Sequence, residues 1–273
     1  MEGNGRKLLT VERWDEILRM IDAGKTSLAE LSEGLGVSEA TIRRDLSDLE
    51  KAGKLRRVRG GAVRSATFAT EPLFLEKASR AADAKRAIAE KAVEFIEDGD
   101  AIYLDGGSTI VELAKLLDGK RNLTVVTNSV MALSELFESR HKVVALGGEF
   151  RKISRTFVGP LTAGILDKLS IDKAFLGTIG FSAEEGPSTT DADEAFTKEL
   201  VARRSREIIL LADSSKIGAP SFASSGRTEE IDILITEKEP APETLETLME
   251  KGVELVVSGA RPDGAARSGN NIE

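Results

Sequence analysis

The stretch LAELSEGLGVSEATIRRDLSDLEKAGKLRRVRGGAV, residues 28–63, decides the fold of the N-terminal part of this chain. Its leucine spacing predicts a short helix over residues 28–35, and Gly34 and Gly36 predict a tight turn after it. Ser38 is a favourable N-cap for the helix that follows. A helix, a glycine-containing turn and a second helix together indicate a helix-turn-helix unit.

An amphipathic helix precedes this unit. Trp14, Ile17, Leu18 and Ile21 have the spacing of one helical face, and the helix is expected to end near Gly24. This face, including Trp14, is expected in the core of a three-helix domain. A three-helix bundle with a solvated basic face, as in some protein-interaction modules, is the alternative interpretation.

The helix after the turn has the features of a recognition helix. At about 100° per residue, Ile42 faces the core and Arg44 points nearly opposite. Arginine can make a bidentate contact with guanine, and a threonine methyl group can contact thymine. Asp45 and Asp48 do not suit such a surface, so we expect them to lie outside the groove or to pair with nearby arginines. The DNA contacts expected from this segment are Ser38, Glu39, Thr41, Arg43 and Arg44.

A basic segment follows the recognition helix. Residues 51–64 contain six basic residues and no acid, and Gly60-Gly61 predicts the tip of a β-hairpin. A basic hairpin of this kind, a wing, can bind the phosphate backbone, which positions a protein without specifying sequence. The wing residues expected to bind DNA are Lys54, Arg56, Arg57 and Arg59.

The overall charge of the chain conceals this basic segment. The 273 residues carry a formal net charge of −8, which taken alone argues against a nucleic-acid partner. Residues 1–64, however, hold 13 basic and 11 acidic residues, so the negative charge belongs to the remainder.

Composition disfavours several other classes of protein. The absence of cysteine excludes disulfides and thiolate metal sites, and the single histidine, His141, excludes His-rich zinc sites. We expect no metal and no cofactor, and we expect His141 at the surface. No signal-peptide segment is visible, and no stretch approaches the roughly 18 apolar residues that span a membrane. A cytoplasmic protein with no membrane partner is therefore expected.

The remainder of the chain alternates apolar strands with helices, which predicts a parallel α/β sheet covered on both faces. We expect a DNA-binding domain at 1–64, a linker with a short helix at 65–83, a second domain at 84–258 and a disordered tail at 259–273. The predicted strands are 100–105, 122–127, 142–147, 172–177, 207–213, 231–236 and 253–258.

Small, hydroxyl and basic residues follow several of these strands. Ligands of such sheets bind at the carboxyl ends of the strands, so these residues indicate a phosphorylated, hydroxyl-rich ligand. They are Asp105, Gly106, Gly107, Ser108, Thr109, Thr127, Asn128, Ser129, Gly147, Gly148, Arg151, Gly177 and Lys216. Each loop taken singly is equally typical of an ordinary turn or N-cap.

The loops lack the glycine motifs of common nucleotide-binding sites, and the acids near them allow either a catalytic or a purely structural interpretation. No P-loop and no dinucleotide-binding glycine motif follows a strand. Asp105, Asp191, Asp193 and Glu194 include carboxylates that could isomerise a sugar phosphate. Acids at a helix N-terminus also simply favour the helix dipole, as Asp193 and Glu194 would.

The chain resembles the DeoR family of bacterial transcription regulators, in its GlpR-like branch. The resemblance covers about residues 8–236. It rests on residues 28–63 and on DGDAIYLDGGSTIVELAKLL, NLTVVTNS, ALGGEFRKISRTFVGP, DKAFLGTIGF and EIILLADSSKIG. The chain departs from the family's sequence pattern at two positions. Arg59 lies where the family commonly has histidine, and Pro187 is an additional residue in the loop GPSTTDADEAFTKE.

The resemblance implies a winged helix-turn-helix joined to a Rossmann-like α/β sensor related to the ribose-5-phosphate isomerase and CoA-transferase folds. Family sensors typically bind a phosphorylated sugar, and most members repress genes of carbohydrate catabolism. By motif match, residues 105–109 would bind phosphate or ligand hydroxyls. Thr127, Asn128, Ser129, Gly147, Gly148, Glu194, Lys198 and Lys216 would line the same pocket.

Three functional hypotheses follow. The first is a non-enzymatic repressor that binds double-stranded operator DNA as a homo-oligomer, a dimer or tetramer, and is relieved by a sugar phosphate. The second is a sugar-phosphate isomerase-like enzyme with an appended helix-turn-helix. The third, a protein-interaction scaffold, predicts no salt-dependent binding to duplex DNA.

Overall fold

A computed structural model of the chain describes residues 10–22, 27–51, 55–58, 61–64 and 71–259. The chain divides into two compact units, Met1–Glu71 and Pro72–Glu273. The predicted tail and residues 65–70 of the predicted linker lie outside the described residues, except that Gly259 ends the last described range.

The N-terminal unit is a winged helix-turn-helix, as the sequence predicts. Its elements are α1 (Thr10–Asp22), α2 (Leu28–Leu35), α3 (Glu39–Lys51), β1 (Leu55–Val58) and β2 (Gly61–Arg64). The strands β1 and β2 pair as an antiparallel hairpin. The core is apolar and comes from all three helices and the first strand: Ile17, Leu18, Met20, Ile21, Leu31, Ile42, Leu46, Leu49 and Leu55.

Local capping explains where the helices of this unit begin and end. Ser27 and Glu30 form a capping box at the start of α2, and Gly36 ends it at φ +62°, a conformation that favours glycine. Gly34 was expected in the turn but lies inside α2, facing Met20 of α1. Trp14 packs at the edge of the core, half-buried.

The C-terminal unit alternates helices and strands. Its helices are α4 (Phe74–Ser79), α5 (Ala82–Ala92), α6 (Ser108–Ala114), α7 (Val130–Glu135), α8 (Pro160–Leu166), α9 (Ala192–Arg204) and α10 (Pro242–Glu250). Its strands are β3 (Ala101–Leu104), β4 (Thr124–Thr127), β5 (Lys142–Ala145), β6 (Glu149–Arg151), β7 (Thr156–Val158), β8 (Ile171–Gly177), β9 (Gly180–Ser182), β10 (Gly186–Thr189), β11 (Ser205–Leu211), β12 (Ala223–Ser224), β13 (Ile233–Thr236) and β14 (Glu254–Val257).

Seven of these strands form the predicted parallel sheet, in the order β14-β13-β11-β8-β3-β4-β5. Every neighbouring pair is parallel. Alternate residues of β3 enter different apolar clusters: Ile102 and Leu104 pack with α5 and α6, and Tyr103 packs with residues of α9 and α10. Both faces are therefore covered, which confirms the expected fold class.

Two small antiparallel sheets were not predicted. One is the hairpin β6–β7, and the other has the order β12-β10-β9. Both lie in segments for which the sequence predicted no strand. Their strands have two to four residues, too few for an apolar alternation to be recognisable.

Two further findings concern expectations from composition. His141 precedes β5 as expected, but it is half-buried rather than an ordinary surface residue, with Nε2 3.0 Å from the carbonyl oxygen of Leu117. Among the residues that the structure describes, no helix is long and apolar enough to cross a membrane.

Candidate functional site

The recognition helix α3 presents a polar outer surface. Ser38 caps it, since the Thr41 N–H donates to Ser38 Oγ at 3.2 Å. Arg43 and Arg44 are both exposed, but Arg43 forms an ion pair with Glu39 at 2.9 Å. Arg44 has no hydrogen bond or ion pair within the described part of the chain. Of the two arginines, Arg44 is therefore the one whose guanidinium is available without first breaking an internal pair.

A buried carboxylate joins the recognition helix to α1. Asp45 is only 3% exposed and accepts two hydrogen bonds from Arg13, at 2.6 and 2.9 Å. Trp14 Nε1 donates to the same carboxylate at 3.1 Å. The hydrogen bond from Arg13 to Asp45 raises the pKa of Arg13, so this charge is kept at any physiological pH. The expected pairing of Asp45 with an arginine is confirmed, although the partner comes from a different helix.

The wing is described mainly by its backbone. Arg57 pairs with Ala62 and Val58 with Gly61 in the antiparallel register. Lys54 and Arg59 lie outside the described residues, and only the backbones of Arg56 and Arg57 are described. Their contacts with phosphate remain predictions from the sequence.

At the carboxyl edge of the large sheet, a buried ion pair ties three elements together. Asp105 follows β3 and pairs with Lys198 Nζ from α9, and both residues are buried. Gly177, at the end of β8, donates its N–H to Asp105 Oδ2 at 3.0 Å and accepts from Lys198 Nζ at 2.8 Å. The two charges thus satisfy each other and the end of the neighbouring strand.

Glu194 is the centre of a second buried cluster. Its Oε2 accepts from Thr189 Oγ1 at 2.7 Å, and its Oε1 accepts from Thr156 Oγ1 at 3.3 Å and from Arg151 at 3.4 Å. Arg151 also pairs with Asp191 at 3.2 Å. Asp191 in turn caps α9 by accepting from the backbone N–H groups of Asp193 and Glu194. Of the two acids expected simply to favour the helix dipole, Asp193 is exposed, whereas Glu194 also holds this cluster together.

The two clusters together contain many charged groups but have little net charge. The carboxylates of Asp105, Asp191 and Glu194 form ion pairs within the protein with the cations of Lys198 and Arg151. A phosphate dianion gains little from cations that are already paired. Neutral hydroxyl groups suit this part of the edge better.

The loop after β4 combines an ordinary capping role with one free polar atom. Thr127 Oγ1 donates to the Leu104 carbonyl at 2.7 Å, and Ser129 Oγ caps α7. Asn128 Nδ2 donates to the Phe157 carbonyl at 3.0 Å. Asn128 Oδ1 is buried without a hydrogen-bond partner among the described residues. A buried acceptor of this kind is costly unless something donates to it.

The glycines at this edge allow backbone segments to approach closely. A Cβ on Gly106 would lie 2.3 Å from the Thr156 methyl group, and one on Gly177 would lie 3.0 Å from the Gly106 carbonyl oxygen. Gly147 accepts from Thr162 Oγ1 at 3.0 Å, and Gly148 lies where the chain turns into β6. These glycines shape the edge, and the buried hydroxyl residues Ser108 and Thr109 begin α6 beside them.

Lys216, another predicted residue of the site, ends a short 3-10 turn after β11 and is half-buried. It was expected in the same pocket, but none of the described contacts joins it to Asp105, Glu194 or Lys198. Asp213 caps this turn by accepting from the Ser215 N–H at 3.2 Å.

Sequence reasoning missed several polar residues of this edge. Thr156 and Thr189 touch Glu194 but lie in the unpredicted short strands. The Tyr103 hydroxyl is buried without a partner among the described residues, and its burial raises the Tyr103 pKa well above the usual value. The alternation of β3 carried that signal, because Tyr103 shares a sheet face with Asp105.

Comparison with protein-family models gives two matches. Residues 80–238 match the DeoR C-terminal sensor domain. Residues 13–68 match the DeoR-like helix-turn-helix domain.

Three transcriptional regulators are among the proteins whose sequences are similar to this chain. The HTH-type transcriptional regulator GlpR of Haloferax volcanii is 35% identical over 261 residues, covering 95% of this chain and 100% of that protein. The uncharacterized HTH-type transcriptional regulator FruR of Bacillus subtilis is 37% identical, covering 92% and 99%. The lactose phosphotransferase system repressor of Streptococcus mutans is 37% identical, covering 83% and 91%.

Among solved structures, a D-ribose-5-phosphate isomerase in complex with phospho-erythronic acid has 21% identity and a TM-score of 0.38. The structural match covers 50% of this chain and 54% of the isomerase chain. This likeness is too weak to say what the chain binds.

Proposed function

The chain belongs to the DeoR family of transcriptional regulators, and from this premise we propose that it represses genes of sugar catabolism by binding operator DNA and responds to a phosphorylated sugar. One observation carries the DNA-binding part of the proposal. The helix α3 is held to α1 through the buried Asp45 and presents on its outer surface the exposed Arg44, which has no ion pair among the described residues. The similarity to the lactose phosphotransferase system repressor of Streptococcus mutans supports the link to sugar metabolism.

Arg44→Ala is expected to weaken operator binding by about 1–3 kcal/mol and to relax the preference at one base pair, because it removes a base contact. Fluorescence anisotropy with operator variants, at one fixed salt concentration, measures both effects. Unchanged affinity together with unchanged selectivity would show that Arg44 does not read a base.

The wing supplies the matched comparison for this experiment. Replacing Arg56 and Arg57 together by Gln should weaken binding to all duplexes alike and make the salt dependence shallower, by about 0.9 in logarithmic slope per lost phosphate contact. A loss confined to one base pair would contradict a phosphate role for the wing.

The effector part of the proposal rests on the polar edge of the parallel sheet. Asn128 Oδ1 and the Tyr103 hydroxyl are buried groups without partners among the described residues. Tyr103 lies near Asp105 and Glu194, and Asn128 contacts Phe157, the residue after Thr156 of the Glu194 cluster. Sugar hydroxyls have the donors and acceptors that such groups lack. A thermal-shift titration tests this proposal. A sugar phosphate of the correct class should raise the unfolding temperature of the wild-type protein, and the Asn128→Leu variant of the protein should lose that increase.

A homo-oligomer completes the proposal. Regulators with one recognition helix per chain read palindromic sites as symmetric pairs, so a dimer or tetramer is expected on the operator. Sedimentation of the protein with and without operator measures this state.

An isomerase activity is the competing function. Both carboxylate oxygens of Glu194 already accept hydrogen bonds, and Asp105 is paired with Lys198. This arrangement favours binding over proton abstraction. Turnover of ribose 5-phosphate by the purified protein would support the enzyme instead.

A further inference from the structure

The helix α4 is the first element of the C-terminal unit, which begins at Pro72. Its first residue, Phe74, is 4% exposed and donates its backbone N–H to the Ile153 carbonyl at 3.1 Å. The Arg155 guanidinium lies over the Phe74 ring, 5.5 Å from its centroid, in cation–π geometry. Ile153 and Arg155 both belong to the turn of the hairpin β6–β7.

The strands of the same hairpin reach the acid cluster of the sheet edge, which consists of the half-buried Asp191 and the buried Glu194. Arg151, the last residue of β6, contacts Asp191 and Glu194 at 3.2 and 3.4 Å. Thr156, the first residue of β7, donates to Glu194 at 3.3 Å. The hairpin thus contacts the acid cluster through its strand residues Arg151 and Thr156, and it contacts Phe74 through its turn residues Ile153 and Arg155.

The far end of α4 is also held within the C-terminal unit. Lys85 of α5 is buried and donates to the backbone carbonyls of Lys77 and Arg80, at the end of α4. The helix is therefore attached at its start to the hairpin and at its end to α5. A displacement of the hairpin would therefore act on the start of α4, while the contacts with Lys85 hold its end.

We propose that the hairpin β6–β7 transmits occupancy of the carboxyl-edge site to α4, with the Phe74–Arg155 contact as the link. This inference rests on the proposed effector site. A ligand hydroxyl that bonds to Glu194 competes with Arg151 and Thr156, which changes how the hairpin is held. The chain passes from the DNA-binding unit into α4. A displacement of Phe74 therefore displaces the start of the C-terminal unit, where the DNA-binding unit is attached. Such differential contacts are what allosteric coupling requires.

The test separates ligand binding from operator release in the full chain. The probes are fructose 1-phosphate, fructose 6-phosphate, glucose 6-phosphate and ribose 5-phosphate, with the most effective one on wild type used throughout. Wild type and the control Lys152→Gln, an exposed cation of the same hairpin, should change operator affinity by about tenfold or more on binding the probe. Arg155→Gln should bind the probe equally well but change operator affinity by less than about threefold.

Phe74→Leu, which keeps an apolar side chain but lacks the ring, should behave like Arg155→Gln. Full operator release in both variants overturns the inference. A wild-type protein that binds none of the probes instead counts against the proposed effector class, and a ligand-free comparison then decides the inference.

The ligand-free comparison uses Arg151→Ala, which loosens the hairpin without a ligand. It should speed hydrogen exchange of residues 72–79 and change operator affinity by roughly threefold or more. In the double variant Arg151→Ala/Arg155→Gln, the operator affinity should equal that of Arg155→Gln alone. If the two fold-changes multiply, the sites are independent and the inference is wrong.

Discussion

Lys198→Met is expected to lower the free energy of unfolding of the C-terminal unit by about 3–5 kcal/mol, because it leaves the Asp105 carboxylate buried without its counter-charge. Asp105 and Lys198 are both buried, and Lys198 also supports the Gly177 carbonyl. Urea denaturation followed by far-UV circular dichroism measures the change. Fluorescence of Trp14, the single tryptophan, reports the N-terminal unit separately and should keep its midpoint.

A matched control and a double variant identify the cause. Lys115→Met removes a lysine from an exposed pair with Glu112 and should cost no more than about 1 kcal/mol. Asp105→Leu/Lys198→Met removes both charges and should recover much of the stability lost in the single variant. A single-variant cost below about 1 kcal/mol would mean that the pair does not stabilise the unit.

Asp45→Ala is expected to destabilise the N-terminal unit by about 3 kcal/mol, because it leaves the Arg13 guanidinium and the Trp14 indole N–H without their shared acceptor. The Trp14 fluorescence midpoint should fall, and operator affinity should fall with it because α3 loses its attachment to α1.

Asp15→Ala is the control for this experiment. Asp15 is an exposed acid on the same helix α1, so its removal should change stability by less than about 0.5 kcal/mol. If Asp45→Ala and Asp15→Ala unfold at the same urea concentration, the buried carboxylate contributes nothing to the domain.

The sequence predicted what local patterns determine. Ser38, Ile42 and Leu46 have the spacing of a capped amphipathic helix, and α3 follows it. The apolar runs between 100 and 258 predicted the strands of the parallel sheet, with ends that differ from the observed ones by at most two residues. The burial of Asp45 could not be predicted, because its partner Arg13 lies 32 residues away.

The candidate site was predicted only in part for the same reason. Asp105, Thr127 and Gly177 are the last residues of predicted strands, and parallel topology alone brings them to one edge. Lys198 lies in the middle of α9, where no local pattern distinguishes it, and only the family resemblance indicated it. Thr156 contacts Glu194 through a three-residue strand that has no sequence signal. Contacts that depend on tertiary packing thus escaped the prediction.

The most direct test of the proposed function is a mobility-shift titration of the full chain on the DNA upstream of its neighbouring genes, at constant salt. Sugar phosphates and their unphosphorylated parents are added to the same complex. The proposal predicts salt-dependent binding that prefers this DNA over an unrelated duplex, and at least one sugar phosphate that changes the affinity by about tenfold while its parent sugar does not. Binding without preference for this DNA, or specific binding that responds to none of the sugar phosphates, would contradict it.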